Sequence, residues 1–87
     1  MEKFYTYILY SSKIDRFYIG STNNLPDRLH RHNARQSKST RSGAPDWAIV
    51  YSEVFPSRSL AFRREIYFKK MKSRIFLEKL IANQAPD

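Results

Sequence analysis

Arg28 and His32 stand four residues apart in LPDRLHRHN, the spacing that places two side chains on one face of a helix, one turn apart. Leu25 and Leu29 form the adjacent apolar stripe, so Arg28 and His32 fall at the rim of the buried face. A guanidinium held there can bind a phosphate through two parallel hydrogen bonds. A basic, solvated helix face accounts for the same residues, and Asp27 and Asn33 can simply pair with neighbours. The second candidate is Glu65 in SLAFRREIYFKKMK, which shares a helical stripe with Ala61 and Phe68 and so points toward the protein. A buried, unpaired carboxylate costs several kcal/mol, so this one needs a cation or hydrogen-bond donors. Arg28 or a bound metal meets that need; an ion pair with Arg64 or Lys69 is the plainer solution.

Tyrosine is the third kind of residue to weigh. In an extended strand Tyr5, Tyr7 and Leu9 share one face, and Phe4, Thr6, Ile8 and Tyr10 the other. Tyr18 precedes Ile19 and Gly20, and a glycine in a strand lets another group approach the backbone. Core packing with the hydroxyl at the rim explains most of the six tyrosines. Tyr7 and Tyr18 gain a chemical role only if they face one cleft with Arg28 and Glu65.

Other chemistries lack their residues. The only glycines are Gly20 and Gly43, so there is no glycine-rich phosphate loop. His30 and His32 are two apart on a helix and face different ways, which rules them out as a metal pair. The nucleophile elbow of Ser/His/Asp catalysis is missing. With no cysteine, disulfides and cysteine-ligated metal sites are excluded. A lone carboxylate suits a hard, oxygen-ligated ion such as magnesium, which keeps most of its waters.

These residues need elements to position them. FYTYILY, residues 4–10, reads as a strand, SSKID as a connection, and RFYIG, residues 16–20, as a second strand pairing with the first in an antiparallel hairpin. Asn23 or Asn24 caps a helix over 25–34, with Pro26 in its first turn. Residues 35–46 read as a loop and WAIVYSEVF as a third strand. Ser57 caps a helix over 58–71, and Ser73 a last one through Ala82. The order β-β-α-β-α-α predicts an α+β fold, a three-stranded antiparallel sheet flanked by helices. Residues 1–87 are expected to form one domain with its core over about 4–82.

Composition points to the partner. Sixteen Lys and Arg against eight Asp and Glu give a net charge of +8 in 87 residues, which predicts attraction to a polyanion, most often nucleic acid. The 41% apolar and 28% charged content is that of a folded, soluble protein. No apolar run reaches the roughly 20 residues that span a bilayer. The N-terminus also lacks a secretory signal, so a cytoplasmic location is expected.

Taken together, TYILYSSKIDRFYIGSTNNLPDRLHRHN resembles the opening of the GIY-YIG nuclease superfamily, in particular its small stand-alone bacterial members. The second half of the motif is intact as Tyr18-Ile19-Gly20; the first is present as YTY, with Tyr7 in the tyrosine position and Tyr5 replacing the glycine. Arg28 follows Tyr18 by ten residues, His32 follows four later, and AFRREIYFKK resembles the segment that supplies the family's metal-binding glutamate, here Glu65. The likeness spans residues 4–80, and five matching positions are far more specific than YIG alone.

The resemblance implies an endonuclease that hydrolyses phosphodiester bonds in DNA with one Mg2+ or Mn2+ ion, in repair or processing of DNA structures. Glu65 would ligate the metal and Arg28 would bind the scissile phosphate. Tyr7 would position or deprotonate the attacking water, with Tyr18 and His32 supporting proton transfer. A phenol near pKa 10 is a poor base, so Arg28 or the metal would have to favour phenolate. Asn83 is a candidate for the family's C-terminal asparagine, although its spacing from Glu65 is long. Without the targeting domain that usually confers specificity, weak, structure-selective or nonspecific cutting is expected. Arg31, Arg35, Lys38, Arg41, Lys69, Lys70 and Lys72, with Arg28, are candidates for following a phosphate backbone. A nucleic acid-binding module without turnover has the same charge and fold. A protein-interaction module would show little salt-dependent binding to DNA.

Overall fold

In the computed structural model, which describes residues 2–84, three strands form one antiparallel sheet: β1 (Phe4–Ser11), β2 (Arg16–Thr22) and β3 (Trp47–Phe55), in the order β2-β1-β3. Helix α1 (Leu25–Asn33) follows β2, and α2 (Arg58–Met71) and α3 (Arg74–Ala82) follow β3. This is the β-β-α-β-α-α order that the sequence predicts. The caps are those expected: the side chains of Asn24, Ser57 and Ser73 accept from the amides of Asp27, Leu60 and Phe76. Asn23 instead donates to Glu2.

The register settles which side chains share a face. Tyr7 lies opposite Gly20, Leu9 opposite Tyr18, and Thr6 opposite Ser21. Tyr7 and Leu9 pack with Trp47 against Leu25 and Leu29 of α1, while Ile8 packs with Phe68 of α2 and Leu77 of α3 on the other face. The central strand is therefore buried on both sides, which explains its nearly unbroken apolar run. A bulge falls where the partner of Ile8 is Tyr51 and that of Leu9 is Ile49, leaving Val50 extra on β3. The added residue inverts the alternation, so Trp47 and Ile49 serve the α1 face and Tyr51 the α2 face.

Two segments differ from the sequence reading. Strand β2 continues through Thr22, which adds Ser21 to the paired residues. Within 35–46, expected to be loop, Lys38–Gly43 forms a short 3-10 helix. Polar anchors hold it on the sheet: the Trp47 indole donates to the Thr40 carbonyl at 2.7 Å, and the Ser11 hydroxyl to the Gly43 carbonyl at 2.9 Å. Asn33 clamps α1 to the start of β3, accepting from the Trp47 amide at 2.9 Å and donating to the Trp47 carbonyl at 3.0 Å. Among the described residues, no helix is long and apolar enough to cross a membrane.

Candidate active site

Tyr7 rises from the buried middle of β1 and its ring crosses over Gly20 of the edge strand. A Cβ on Gly20 would stand 2.6 Å from Tyr7 Cζ and against the hydroxyl. The glycine is thus required by packing, since any side chain would displace the phenol. The hydroxyl meets His32 Nε2 at 3.1 Å, and the other ring nitrogen, Nδ1, meets Thr40 Oγ1 at 2.7 Å. The Thr40 hydroxyl also reaches the Ser37 carbonyl, an obligate acceptor, at 3.4 Å. That acceptor orients the chain: Thr40 donates to Ser37, His32 Nδ1–H donates to Thr40, and the bare Nε2 accepts from Tyr7. Both His32 and Thr40 are fully buried, so water does not compete for these bonds.

Tyr18 completes the cluster. Its ring lies 4.9 Å from that of His32 and 6.5 Å from that of Tyr7, between centroids. Arg28 stands beside it on α1, half-buried, and with Tyr18, Arg31, His32, Gln36 and Ser37 lines a small polar pocket of about 230 Å³. Arg28 Nε is buried without a hydrogen-bond partner, and among the described residues no other buried side-chain nitrogen or oxygen is left so. An unmade hydrogen bond on a buried donor is costly, so this nitrogen stands out among the polar atoms of the cluster.

Burial pushes the Tyr7 phenol well above its usual range, reinforced by Tyr18 and only partly opposed by the Arg28 charge; Glu65 adds to the rise. Burial also lowers His32, and the Arg28 charge lowers it further. Both effects keep the pair neutral: a phenol facing an imidazole whose Nε2 lone pair is free to take a proton.

Glu65 approaches from the opposite face of the sheet. It is 8% exposed on α2, where Ser21 donates to Oε1 at 2.6 Å and Lys69, one turn on, to Oε2 at 2.6 Å. Ser21 follows Gly20 directly, so the carboxylate and the phenol meet around the same stretch of edge strand. The two other cations expected as partners for Glu65 are engaged elsewhere: Arg64 pairs with Glu53, and Arg28 belongs to the pocket. Lys69 is half-exposed, so its ammonium is a cation that can leave Oε2 to another. Among the described residues no three His, Cys, Asp or Glu gather to hold a metal. An ion at Glu65 would therefore keep mostly water ligands, which suits magnesium or manganese.

The GIY-YIG catalytic domain family model matches residues 3–79, nearly the whole chain. The chain belongs to the GIY-YIG family. Among its relatives, the UPF0213 protein of Limosilactobacillus reuteri is 40% identical over 75 residues, covering 84% of this chain and 77% of that one. The UPF0213 protein SH2523 of Staphylococcus haemolyticus is 40% identical over 70 residues, covering 79% and 83%. The solution NMR structure of the UPF0213 protein of Bacillus halodurans aligns with a TM-score of 0.55 at 32% identity, over 92% of this chain and 83% of that one. GIY-YIG membership supports an endonuclease-type function on nucleic acid and a general need for a divalent metal.

In this GIY-YIG chain the basic candidates fall into separate groups. Arg31 pairs with Asp27 at 3.1 Å on the exposed side of α1, beside the pocket. Arg35 reaches the Ala44 carbonyl at 3.3 Å, while Lys38 and Arg41 project from the 3-10 helix. Lys69, Lys70 and Lys72 are exposed at the C-terminal end of α2. Asn83 caps the C-terminus of α3 and is exposed. Two site residues escape a reading by type. Ser21 is visible only once its register opposite Thr6 is known, and Thr40 lies in a polar stretch with no periodicity to mark it.

Proposed function

We propose that this protein is a metal-dependent endonuclease that hydrolyses phosphodiester bonds in DNA. The observation that carries the reading is the small polar pocket that Arg28, whose Nε is buried without a partner, lines with Tyr18 and His32. A phosphate oxygen is the acceptor this geometry invites, and a guanidinium offers it two parallel donors. Arg28 binds the scissile phosphate and opposes the charge that builds on it in the transition state. Glu65, oriented by Ser21, would hold the Mg2+ or Mn2+ ion, which supplies Lewis-acid charge to the same phosphate.

The raised phenol argues against a resting phenolate at Tyr7. Tyr7 acts instead as a relay. Its oxygen takes a proton from the attacking water as its own proton passes to His32 Nε2, and Thr40 holds Nδ1–H throughout. No free phenolate forms, and neutral His32 is the final acceptor. Tyr18 packs on His32 and shields the relay. Repair or processing of DNA structures is the setting such an activity fits.

One contact favours a second reading. With Lys69 already neutralising Glu65, the same fold serves as a DNA-binding module without turnover. Supercoiled plasmid incubated with Mg2+ or Mn2+ separates the two. Nicking by the wild type, abolished in Glu65→Gln and Arg28→Ala, supports the nuclease. Salt-sensitive binding without nicking, unaltered by Glu65→Gln, supports the binding module.

A further inference from the structure

On α2, Arg58, Phe62, Glu65 and Lys69 recur at steps of four, three and four, which places them on one stripe. Phe62 has no evident packing role on this stripe: it is 51% exposed, one turn before the candidate metal-binding carboxylate. Phe62, Arg58, Ser59 and Ser21 line an open recess of about 430 Å³, within the roughly 300–1,000 Å³ of small-ligand sites. Ser21 is also the residue whose hydroxyl holds Glu65 Oε1 at 2.6 Å. The recess and the candidate site thus share a wall. The Arg58 guanidinium is held over the Phe4 ring at 4.9 Å, which keeps a cation at the rim.

A half-exposed aromatic ring with a cation one turn away, beside the candidate metal-binding carboxylate, matches the chemistry of a nucleobase next to its phosphate. Bases stack on aromatic faces, and cations take the adjoining phosphates. The charge of +8 favours a polyanion over an apolar peptide as the occupant. A base inside an intact duplex is already stacked on both sides and does not reach Phe62. Resting on the nuclease reading above, we propose that Phe62 stacks an unpaired base next to the scissile phosphate. The substrate class is then a strand with unpaired bases, as in single strands, flaps and loops, in preference to intact duplex.

The test is binding of a fluorescent single strand and of its matched blunt duplex, measured with EDTA present so that nothing is cut. Phe62→Ala should weaken single-strand binding by roughly 5- to 150-fold, the fold-change that corresponds to about 1–3 kcal/mol of base stacking. Duplex binding should be unchanged. Phe62→Tyr should bind like wild type, and Phe62→Leu like Phe62→Ala. A strand carrying 2-aminopurine should be quenched by wild type and Phe62→Tyr, and not by Phe62→Ala. The ring is exposed, so all three variants keep the core. Equal losses on strand and duplex, rescue by leucine as good as by tyrosine, or no loss at all would overturn the proposal. The two readings fail separately: quenching without metal-dependent cutting leaves the base site on a binding module, and cutting with unaltered strand preference in Phe62→Ala leaves a nuclease without it.

Discussion

Thr40→Val tests the relay at its least obvious member. The substitution keeps the β-branched shape and removes only the oxygen that faces His32 Nδ1 at 2.7 Å. Both residues are fully buried, so no water replaces the missing acceptor. A buried donor left unpaired costs about 1–3 kcal/mol, and the weak 3.4 Å bond to Ser37 adds little; we expect about 2 kcal/mol by urea denaturation. The indole bond of Trp47 goes to the Thr40 backbone carbonyl and survives. Without its partner at Nδ1, His32 gains by moving the proton to Nε2 and donating to Tyr7. That reverses the one bond through which Tyr7 hands on its proton. A tautomer shift worth about 1.4 kcal/mol lowers the competent fraction tenfold, so turnover should fall roughly tenfold. The assays are denaturation, plasmid nicking and the ring-nitrogen NMR shifts of His32, which distinguish the tautomers. Thr40→Ser should restore all three. A destabilisation below about 0.5 kcal/mol with unaltered ring-nitrogen shifts would refute the reasoning, because the bond would then be neither stabilising nor orienting.

Three further outcomes are expected. In Gly20→Ala the new Cβ would stand 2.6 Å from Tyr7 Cζ, so overpacking costs about 1–3 kcal/mol by denaturation and nicking is abolished as the phenol is pushed off His32. His32 titrates lower when folded than its unfolded value of 6.5, so the unfolded chain takes up its proton first. Stability from this group is complete above about pH 6.5 and is lost as pH falls through the folded value; His32→Gln should flatten that limb of the stability–pH curve, and an unchanged curve would count against a buried neutral imidazole. For DNA affinity, the logarithm should fall linearly with that of salt, and Lys38→Ala with Arg41→Ala should reduce the slope by about 0.9 for each phosphate no longer neutralised. A slope indifferent to both changes would place the DNA path elsewhere.

Much of this was legible in the residues. Strand content, the serine and asparagine caps and the apolar stripes depend on local chemistry, and they yielded the element order. A spacing of four residues brought Arg28 and His32 together, because a helix turn is a local rule. The stripe of Ala61, Glu65 and Phe68 likewise foretold that the carboxylate is buried. The same helical spacing makes Lys69 a partner within reach of Glu65.

What the chain alone left open was settled by register and by approach from a distance. Tyr7 on one face and Glu65 on the other come to the same stretch of chain because β2 is an edge strand and Gly20 has no side chain to keep the phenol back. The bulge at Val50 inverts the alternation of β3, and no count of apolar positions reveals where an extra residue is accommodated. Thr40 meets His32 because the 3-10 helix is pinned by Trp47 and Ser11, partners from two different strands. Sequence by itself determined the elements and the residue types of the site, since both follow from short-range periodicity and side-chain chemistry. Tertiary structure decided which polar groups meet and which share a pocket, since those depend on contacts between segments far apart in the chain, where burial removes water and leaves each polar atom only the partner the fold provides.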